Sequence, residues 1–367
     1  MAISAEQVKA LARQCGFELV GITPALPSED FDRYEQWREA GMAGEMGYLT
    51  DCRGDLRSDP RNLLPEAQSI ICVGKLYNTA DPGVTNKQQA SISRYAWGAD
   101  YHETMRCGLE TLVQKIAETH REPFQWRICV DTAPLLERSY ARAAGLGWIG
   151  KNTCLINQQG GSWFFLGEVL ISLPLPPDGP PPNRCGTCTR CIDACPTAAL
   201  VPKEDSWQLD ARLCISYLTI EKRGDVVSEL QPKMANHIFG CDICQDVCPW
   251  NRRAPVTDDS DFQRRDMPVA LAELAQFTTE DFRRRFRLSP VWRAKYSGFL
   301  RNVAIALGNS ADRSVWEPLK RLASHPELSV AAAAQQSLRR LREVLGEEGS
   351  QEVLIPCHTA DSSQEFS

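Results

Sequence analysis

The chain has 367 residues, 43% of them hydrophobic, enough to bury substantial cores and to suggest two or three domains. A net charge of −6 argues against uniform coating of nucleic acid but is compatible with a local basic patch. The opening MAISAEQVKALARQCG lacks a basic segment followed by an apolar core, and no apolar run approaches the roughly 20 residues of a membrane span. A soluble, cytoplasmic protein with no membrane partner is therefore expected.

Residues 1–173 alternate between helical and strand patterns. Ser4 to Gln7 spells a capping box before an amphipathic helix, and Phe17 to Ile22 reads as a strand. Ser69 to Val73 is a short apolar run, and Tyr101 to His120 is a long helix. Phe124, Trp126, Ile128 and Val130 alternate as a strand does. Leu135 to Ala144 is helical, and Trp163 to Ile171 is a strand. The fold class is α/β or α+β, with strand order open. Gly145, Gly147 and Gly150 spell G-x-G-x-x-G, but they follow a helix and precede a strand, the reverse of the dinucleotide-binding context. A glycine helix stop and a tight loop explain them.

Pro174 to Pro182, rich in proline, cannot propagate a helix or a central strand and reads as a stiff linker. Beyond it, eight of the fifteen cysteines form a pattern: Cys185, Cys188, Cys191 and Cys195-Pro196, then Cys214, then Cys241, Cys244 and Cys248-Pro249. The first run is C-x2-C-x2-C-x3-C-P, in which three thiolates wrap one cubane and the fourth reaches another. The second run has three cysteines, and Cys214 is the natural fourth. Two 4Fe-4S clusters are expected, one on Cys185, Cys188, Cys191 and Cys248, the other on Cys195, Cys214, Cys241 and Cys244. Zinc would need its ligands as two pairs per metal, a poor match to four thiolates within eleven residues. Cys15, Cys52, Cys72, Cys107, Cys129, Cys154 and Cys357 share no ligand spacing, and most are expected to be buried small hydrophobes.

From about Met267 the pattern is helical and rich in Ala, Leu and Arg, with helices expected at Tyr296 to Leu307, Val315 to Ala323 and Val330 to Leu345. Gly308 and Gly346 are the expected stops, and Pro318 falls in a first turn. Stacked short helices of this kind suggest a HEAT-like pair. Between Asp281 and Arg301, seven cations (Arg283, Arg284, Arg285, Arg287, Arg293, Lys295 and Arg301) are interleaved with Phe282, Phe286, Trp292, Tyr296 and Phe299. Such a stretch can contact phosphates and stack on unpaired bases, or it can be a solvated helix face with its aromatics in the core. The expected division is 1–173, an α/β (α+β) cofactor-binding catalytic domain; 174–253, a ferredoxin-like two-cluster module; and 254–346, an all-α HEAT-like domain, with 347–367 a disordered tail.

Several separated stretches carry a resemblance that covers about Gly21 to Asn309. They include Gly44-Glu45-Met46, Arg94-Tyr95-Ala96, Asp100-Tyr101-His102, Val130-Asp131-Thr132-Ala133-Pro134, Gly145-Leu146-Gly147-Trp148, Gly150-Lys151 and Phe165-Leu166-Gly167-Glu168. The cysteine array, Cys248-Pro249-Trp250-Asn251 and Leu300-Arg301-Asn302 complete them. Jointly they resemble the epoxyqueuosine reductases, cobalamin-dependent iron-sulfur enzymes that finish queuosine synthesis in tRNA. The resemblance implies reduction of the epoxide to an alkene and water at the wobble position, consuming two electrons and two protons.

By the same resemblance, Asp131 is the proton donor, holding a proton near the apolar corrin and delivering it to the leaving oxygen. Read locally, Asp131 or Thr132 is instead a helix N-cap. The implied corrin contacts are Arg57, Tyr95, Asp131, Lys151, Asn152, Thr153, Ser216 and Asp242. Asp100 to Met105 approaches the D-x-H-x-x-G pattern of histidine-on cobalamin proteins, but Met105 replaces the glycine, so it does not support a histidine lower ligand. The implied partners are tRNA carrying epoxyqueuosine in its anticodon and an external one-electron donor such as a flavodoxin or ferredoxin, and a monomer is expected. The alternatives are a reductive dehalogenase-like cobalamin enzyme and a non-catalytic ferredoxin-type electron carrier.

Overall fold

The computed structural model describes residues 2–80, 86–204, 206–265 and 269–345. Met267, the Gly346 stop, Cys357 and the tail at 347–367 lie outside the described residues. Among the described residues no helix is long and apolar enough to cross a membrane.

A four-stranded antiparallel sheet organises the N-terminal part. Its strands are β1 (Leu19–Pro24), β2 (Ser69–Leu76), β3 (Trp126–Cys129) and β4 (Phe164–Ile171), in the order β1-β2-β4-β3. The two central strands are apolar almost throughout because both faces are covered. Ile71, Val73, Val169 and Ile171 point to one side, where α1 (Ala5–Gln14) and α2 (Tyr101–His120) supply Val8, Met105, Leu109 and Leu112. Ile70, Cys72 and Leu170 point to the other, against Tyr140 and Ala141 of α3 (Glu137–Ala143). The capping box of α1 is present as expected. Helix α3 begins later than its sequence suggested: its N-cap is Leu136, with no side-chain cap. Asp131 and Thr132 therefore do not cap it, which overturns the local reading.

Gly145 ends this helical segment with φ +86°, and the following glycines lead into a hairpin of Trp148–Ile149 with Leu155–Ile156. The proline-rich connection is pinned to β1. The Asp178 carboxylate accepts from the Ile22 N–H at 3.0 Å and from Lys9 Nζ at 3.0 Å.

The C-terminal helices are α4 (Thr279–Phe286), α5 (Lys295–Asn309), α6 (Trp316–Ala323) and α7 (Leu328–Leu345). Their core is continuous with Ala90, Ile92, Ile215, Tyr217, Leu218 and Phe239, so it runs past the boundary expected near residue 253. Gly308 does not stop a helix. It lies inside α5, where a Cβ would meet the Ser337 side chain at 2.4 Å, so its role is close helix packing.

Phe282, Phe286 and Phe299 are buried in this core, so three of the aromatics interleaved with arginines are packing residues and cannot stack on bases. Arg301 also leaves the proposed cationic surface. It is 1% exposed and donates to the carbonyls of Leu218, Lys222 and Gly224, while the neighbouring Asn302 Nδ2 donates to those of Thr219 and Ile238. The Leu300-Arg301-Asn302 stretch thus clamps α5 onto the chain that follows Cys214. Arg301→Met is expected to lower the unfolding free energy on the order of 3 kcal/mol, since one buried and two partly covered carbonyls lose a charged donor. Exposed Arg284→Ala should stay within about 0.5 kcal/mol of the parent, and denaturant titrations of both variants check this.

Candidate active site

The loop between β3 and α3 places Asp131 at the edge of a cleft. Asp131 has φ +50°, a left-handed conformation that Asp and Asn tolerate better than other non-glycine residues, and its side chain is 47% exposed. From the first turn of α2, His102 reaches across, its Nε2 3.1 Å from Asp131 Oδ2. The other ring nitrogen, Nδ1, lies 2.6 Å from Asp100 Oδ1, and Asp100 also caps α2 by accepting from the His102 N–H. Burial disfavours an imidazolium here, but the two carboxylates outweigh it and hold the His102 pKa up at about 9.

Three tyrosines wall the cleft. Tyr101 stacks on His102 with ring centroids 4.1 Å apart, Tyr95 meets Tyr101 edge-on at 6.3 Å, and burial pushes both phenols well above their usual range, with Asp131 adding to it. Burial likewise pushes Tyr48 up to about 12, with Glu221 and Asp131 contributing. Arg293 lies over the Tyr48 ring at 5.1 Å and pairs with Glu221 at 2.9 Å. Glu137, at the start of α3, is raised to about 7 by burial and then by the nearby Asp131.

His102, Tyr48, Glu137, Glu221 and Arg293 were missed as site residues by sequence reasoning. His102 and Arg293 carried signals, the D-x-H element and the cationic stretch, but each also had an ordinary helical reading.

The cysteines fall into two gatherings. Cys185, Cys188, Cys191 and Cys248 line a cavity of about 230 Å³ with Lys151, Asn152 and Trp250. Burial pushes the Cys191 thiol up to about 11, with Cys185 and Cys248 adding to it. In the second gathering burial pushes Cys241 up to about 12, with Cys214 and Cys195 contributing, and Cys244 is raised by its bond with Cys154 and then by burial, with Cys241 and Cys214 adding to it. Among the described residues no three His, Cys, Asp or Glu are placed to hold a single metal ion.

Of the other described cysteines, only Cys72 and Cys129 are buried; Cys52 and Cys107 are exposed, and Cys15 and Cys154 are partly covered. The expectation that most are buried hydrophobes fails, because spacing alone carries no burial information. Cys154 follows the Gly150 turn and bonds to Cys244, which holds its pKa below that of an ordinary thiol.

The remaining expected site residues are distributed between these centres. Asp242 accepts from Ser93 Oγ at 2.5 Å and from the Arg94 N–H at 2.6 Å, tying the second cysteine set to the turn that carries Tyr95. Asn152 Nδ2 donates to the Cys244 carbonyl at 3.3 Å, Thr153 follows with φ +62°, and Ser216 lies two residues beyond Cys214. Lys151 Nζ donates to the carbonyls of Gly186 and Cys188 at 2.8 and 3.0 Å, which places it on the first set. Arg57 is buried, with Nη1 on the Arg53 carbonyl and its guanidinium over Tyr34, and among the described residues no hydrogen bond or ion pair joins it to Asp131. Both ring nitrogens of His102 are engaged by carboxylates, so it is not offered as a cobalt ligand.

Residues 184–251 match the family model of the 4Fe-4S double cluster binding domain. Joined to an acid-lined cleft on an α/β sheet, this makes the chain an iron-sulfur oxidoreductase. Residues 57–132 match the family model described as epoxyqueuosine reductase QueG. The chain is 44% identical over 314 residues to epoxyqueuosine reductase of Xanthomonas campestris pv. campestris, covering 84% of this chain and 87% of that protein. It is 42% identical over 344 residues to that of Pseudomonas aeruginosa, with coverage of 92% and 94%. The crystal structure of an epoxyqueuosine reductase with an epoxyqueuosine-modified tRNA-Tyr stem loop superposes with a TM-score of 0.83 at 26% identity, covering 94% of each chain.

The chain belongs to the epoxyqueuosine reductase family. It reduces epoxyqueuosine to queuosine, the last step of queuosine biosynthesis, using two 4Fe-4S clusters and the cobalamin expected of the family.

The raised His102 pKa has a thermodynamic consequence. A folded-state pKa near 9, against an ordinary 6.5, means that the stabilisation by the imidazolium is complete below pH 6.5 and is lost as pH rises through 9. The melting-temperature gap between the parent and His102→Gln should therefore be widest near pH 6 and should narrow by pH 9.5, as thermal scans across that range would show.

Proposed function

We propose that Asp131 is the general acid of epoxyqueuosine reduction, and that the clusters are held by Cys185, Cys188, Cys191 and Cys248 and by Cys195, Cys214, Cys241 and Cys244. The observation that carries this reading is the convergence of His102 and Asp131 in a cleft walled by Tyr95, whose turn Asp242 fastens to the second cysteine set. Burial raises Cys191, Cys214, Cys241 and Cys248, and the Cys154 thiol followed by burial raises Cys244, so these thiols favour a cation that compensates the thiolates, and iron supplies that charge.

Bound cobalamin supplies the low-potential redox chemistry that opens the epoxide. Tyr95, Asn152, Thr153 and Ser216 are the residues disposed to hold it between the second set and the cleft. Asp131 delivers a proton to the departing oxygen. That proton comes from His102, an imidazolium one hydrogen bond away that passes it through Asp131, and the solvent-facing pair is reprotonated to supply the second.

In this reading residues 1–173 carry the chemistry and 174–253 bring electrons. Residues 254–346 brace both and present the exposed Arg283, Arg284 and Arg287 to the tRNA backbone around a cavity of about 660 Å³. The similarity to a reductase crystallised with a modified tRNA stem loop supports that substrate. The protein works as a cytoplasmic monomer supplied by a flavodoxin or ferredoxin.

Cys214→Ala should lose one cluster and keep the other, with iron falling from about eight to about four per chain. Retention of both clusters by iron analysis and electron paramagnetic resonance would refute the ligand assignment. Asp131→Asn keeps the left-handed backbone and the side-chain size but cannot donate a proton. Single-turnover reduction of epoxyqueuosine tRNA should fall roughly 10²- to 10⁴-fold while cobalamin and cluster spectra persist. Near-parental rates in the loaded enzyme would remove Asp131 from the mechanism.

A further inference from the structure

The two cysteine sets differ in what surrounds them. In the second, all four cysteines are partly covered, and Cys214 and Cys241 pack against the core that joins the Tyr95 turn to the C-terminal helices. The first lies behind a surface loop. Cys185, Cys188 and Cys191 are partly covered, and between and beside them Gly186, Thr187 and Thr189 are exposed.

Arg184 and Arg190 flank this loop, both exposed and both lining the 230 Å³ cavity. Neither guanidinium has an ion-pair or hydrogen-bond partner among the described residues. Lys151 adds a third cation beneath them, its ammonium fixed on the Gly186 and Cys188 carbonyls. The one acid in this segment, Asp193, is turned back onto Thr189 Oγ1 at 2.7 Å. On a chain of net charge −6, three cations around one thiol-lined opening are a local reversal of sign. Two of them are unspent long side chains on the surface.

We propose that the Arg184–Arg190 face is the docking surface for an acidic one-electron carrier protein, which reduces the cluster of the Cys185 set. The electron then passes to the Cys214 set and on to the cleft. Carboxylates on the carrier pair with the two guanidiniums, and Lys151 keeps the loop carbonyls from opposing an incoming anionic surface. One electron leaves the carrier and one arrives on the cluster at each encounter, so two encounters supply one epoxide reduction. The proposal rests on the reading of Cys185, Cys188, Cys191 and Cys248 as cluster ligands.

The test is stopped-flow bleaching of the cluster absorbance in reconstituted enzyme, with a reduced acidic flavodoxin as carrier and photoreduced deazariboflavin as a small uncharged reductant. Arg184→Glu/Arg190→Glu should slow reduction by flavodoxin roughly tenfold or more at low salt and flatten its dependence on ionic strength. Arg184→Gln/Arg190→Gln should show a smaller loss in the same sense. Reduction by deazariboflavin should match the parent in both variants, which also shows that the clusters are assembled. Equal flavodoxin rates and equal salt slopes in the parent and both variants would overturn the docking surface, whereas a parent enzyme that binds no cluster at the Cys185 set would instead overturn the ligand reading beneath it. Parallel loss with both reductants would equally overturn it, by showing that the arginines support the cluster and not the carrier.

Discussion

A single carboxylate holds the redox and acid-base halves of this protein in register. Asp242 sits between Cys241 and Cys244 in sequence, yet its oxygens are taken by Ser93 and the Arg94 N–H, about 150 residues away. The contact needs close backbone approach, and Gly240 permits it: with φ +70°, it lies where a Cβ would strike the Ser93 side chain at 2.4 Å. Tyr95 rides on the same turn and faces Tyr101, which stacks on His102. Any slack in the Asp242 bridge would move the second cysteine set away from Asp131, and electron transfer falls steeply with distance. The short helix after Cys214 is fixed from the other side by Arg301 and Asn302, so the cysteine-bearing segment is gripped at both ends.

The legible parts of the sequence were those whose signal is local. Cysteine spacing is covalent arithmetic, and it pointed to the double-cluster domain that residues 184–251 match. Helix α2 carried its own cap and period, and its bounds agree with the sequence reading. What depends on tertiary packing was not legible. Phe282, Phe286 and Phe299 had the composition of a stacking surface and proved to be core, because helical spacing does not say which face meets water. Arg301 looked like one more cation in a basic run, although it is the most buried of them. Gly308 had the spelling of a stop signal, but the approach of Ser337 that explains it comes from another helix.

The same limit explains the site. Asp131 was indicated only by family likeness, since its own neighbourhood reads as a cap. The fold excludes that cap by starting α3 beyond it, and it gives Asp131 a positive φ. His102 lies 29 residues earlier, and it meets Asp131 only because the start of α2 comes against the loop after β3. No periodicity encodes that meeting.

The charge balance of the cleft also reaches into the sheet beneath it. Glu168, 1% exposed in the middle of β4, faces Cys72 and Cys129, and neither of its oxygens has a hydrogen-bond partner among the described residues. An ionised carboxylate in such a place would cost several kcal/mol, so burial, with Glu137 adding to it, keeps Glu168 protonated. Glu137, one layer nearer the cleft, is poised at about 7, and Asp131 lies above it at the solvent edge. The acids are thus graded by depth: a neutral carboxyl at the bottom, one near its titration point in the middle, and one beside an imidazolium at the top. Neutral Glu168 spares Glu137 a like charge from below, while His102 and Arg293 offset Asp131 from the open side. The cleft can therefore gather several carboxyl groups around a proton-consuming reaction without accumulating the repulsion that would force the Asp131 loop away.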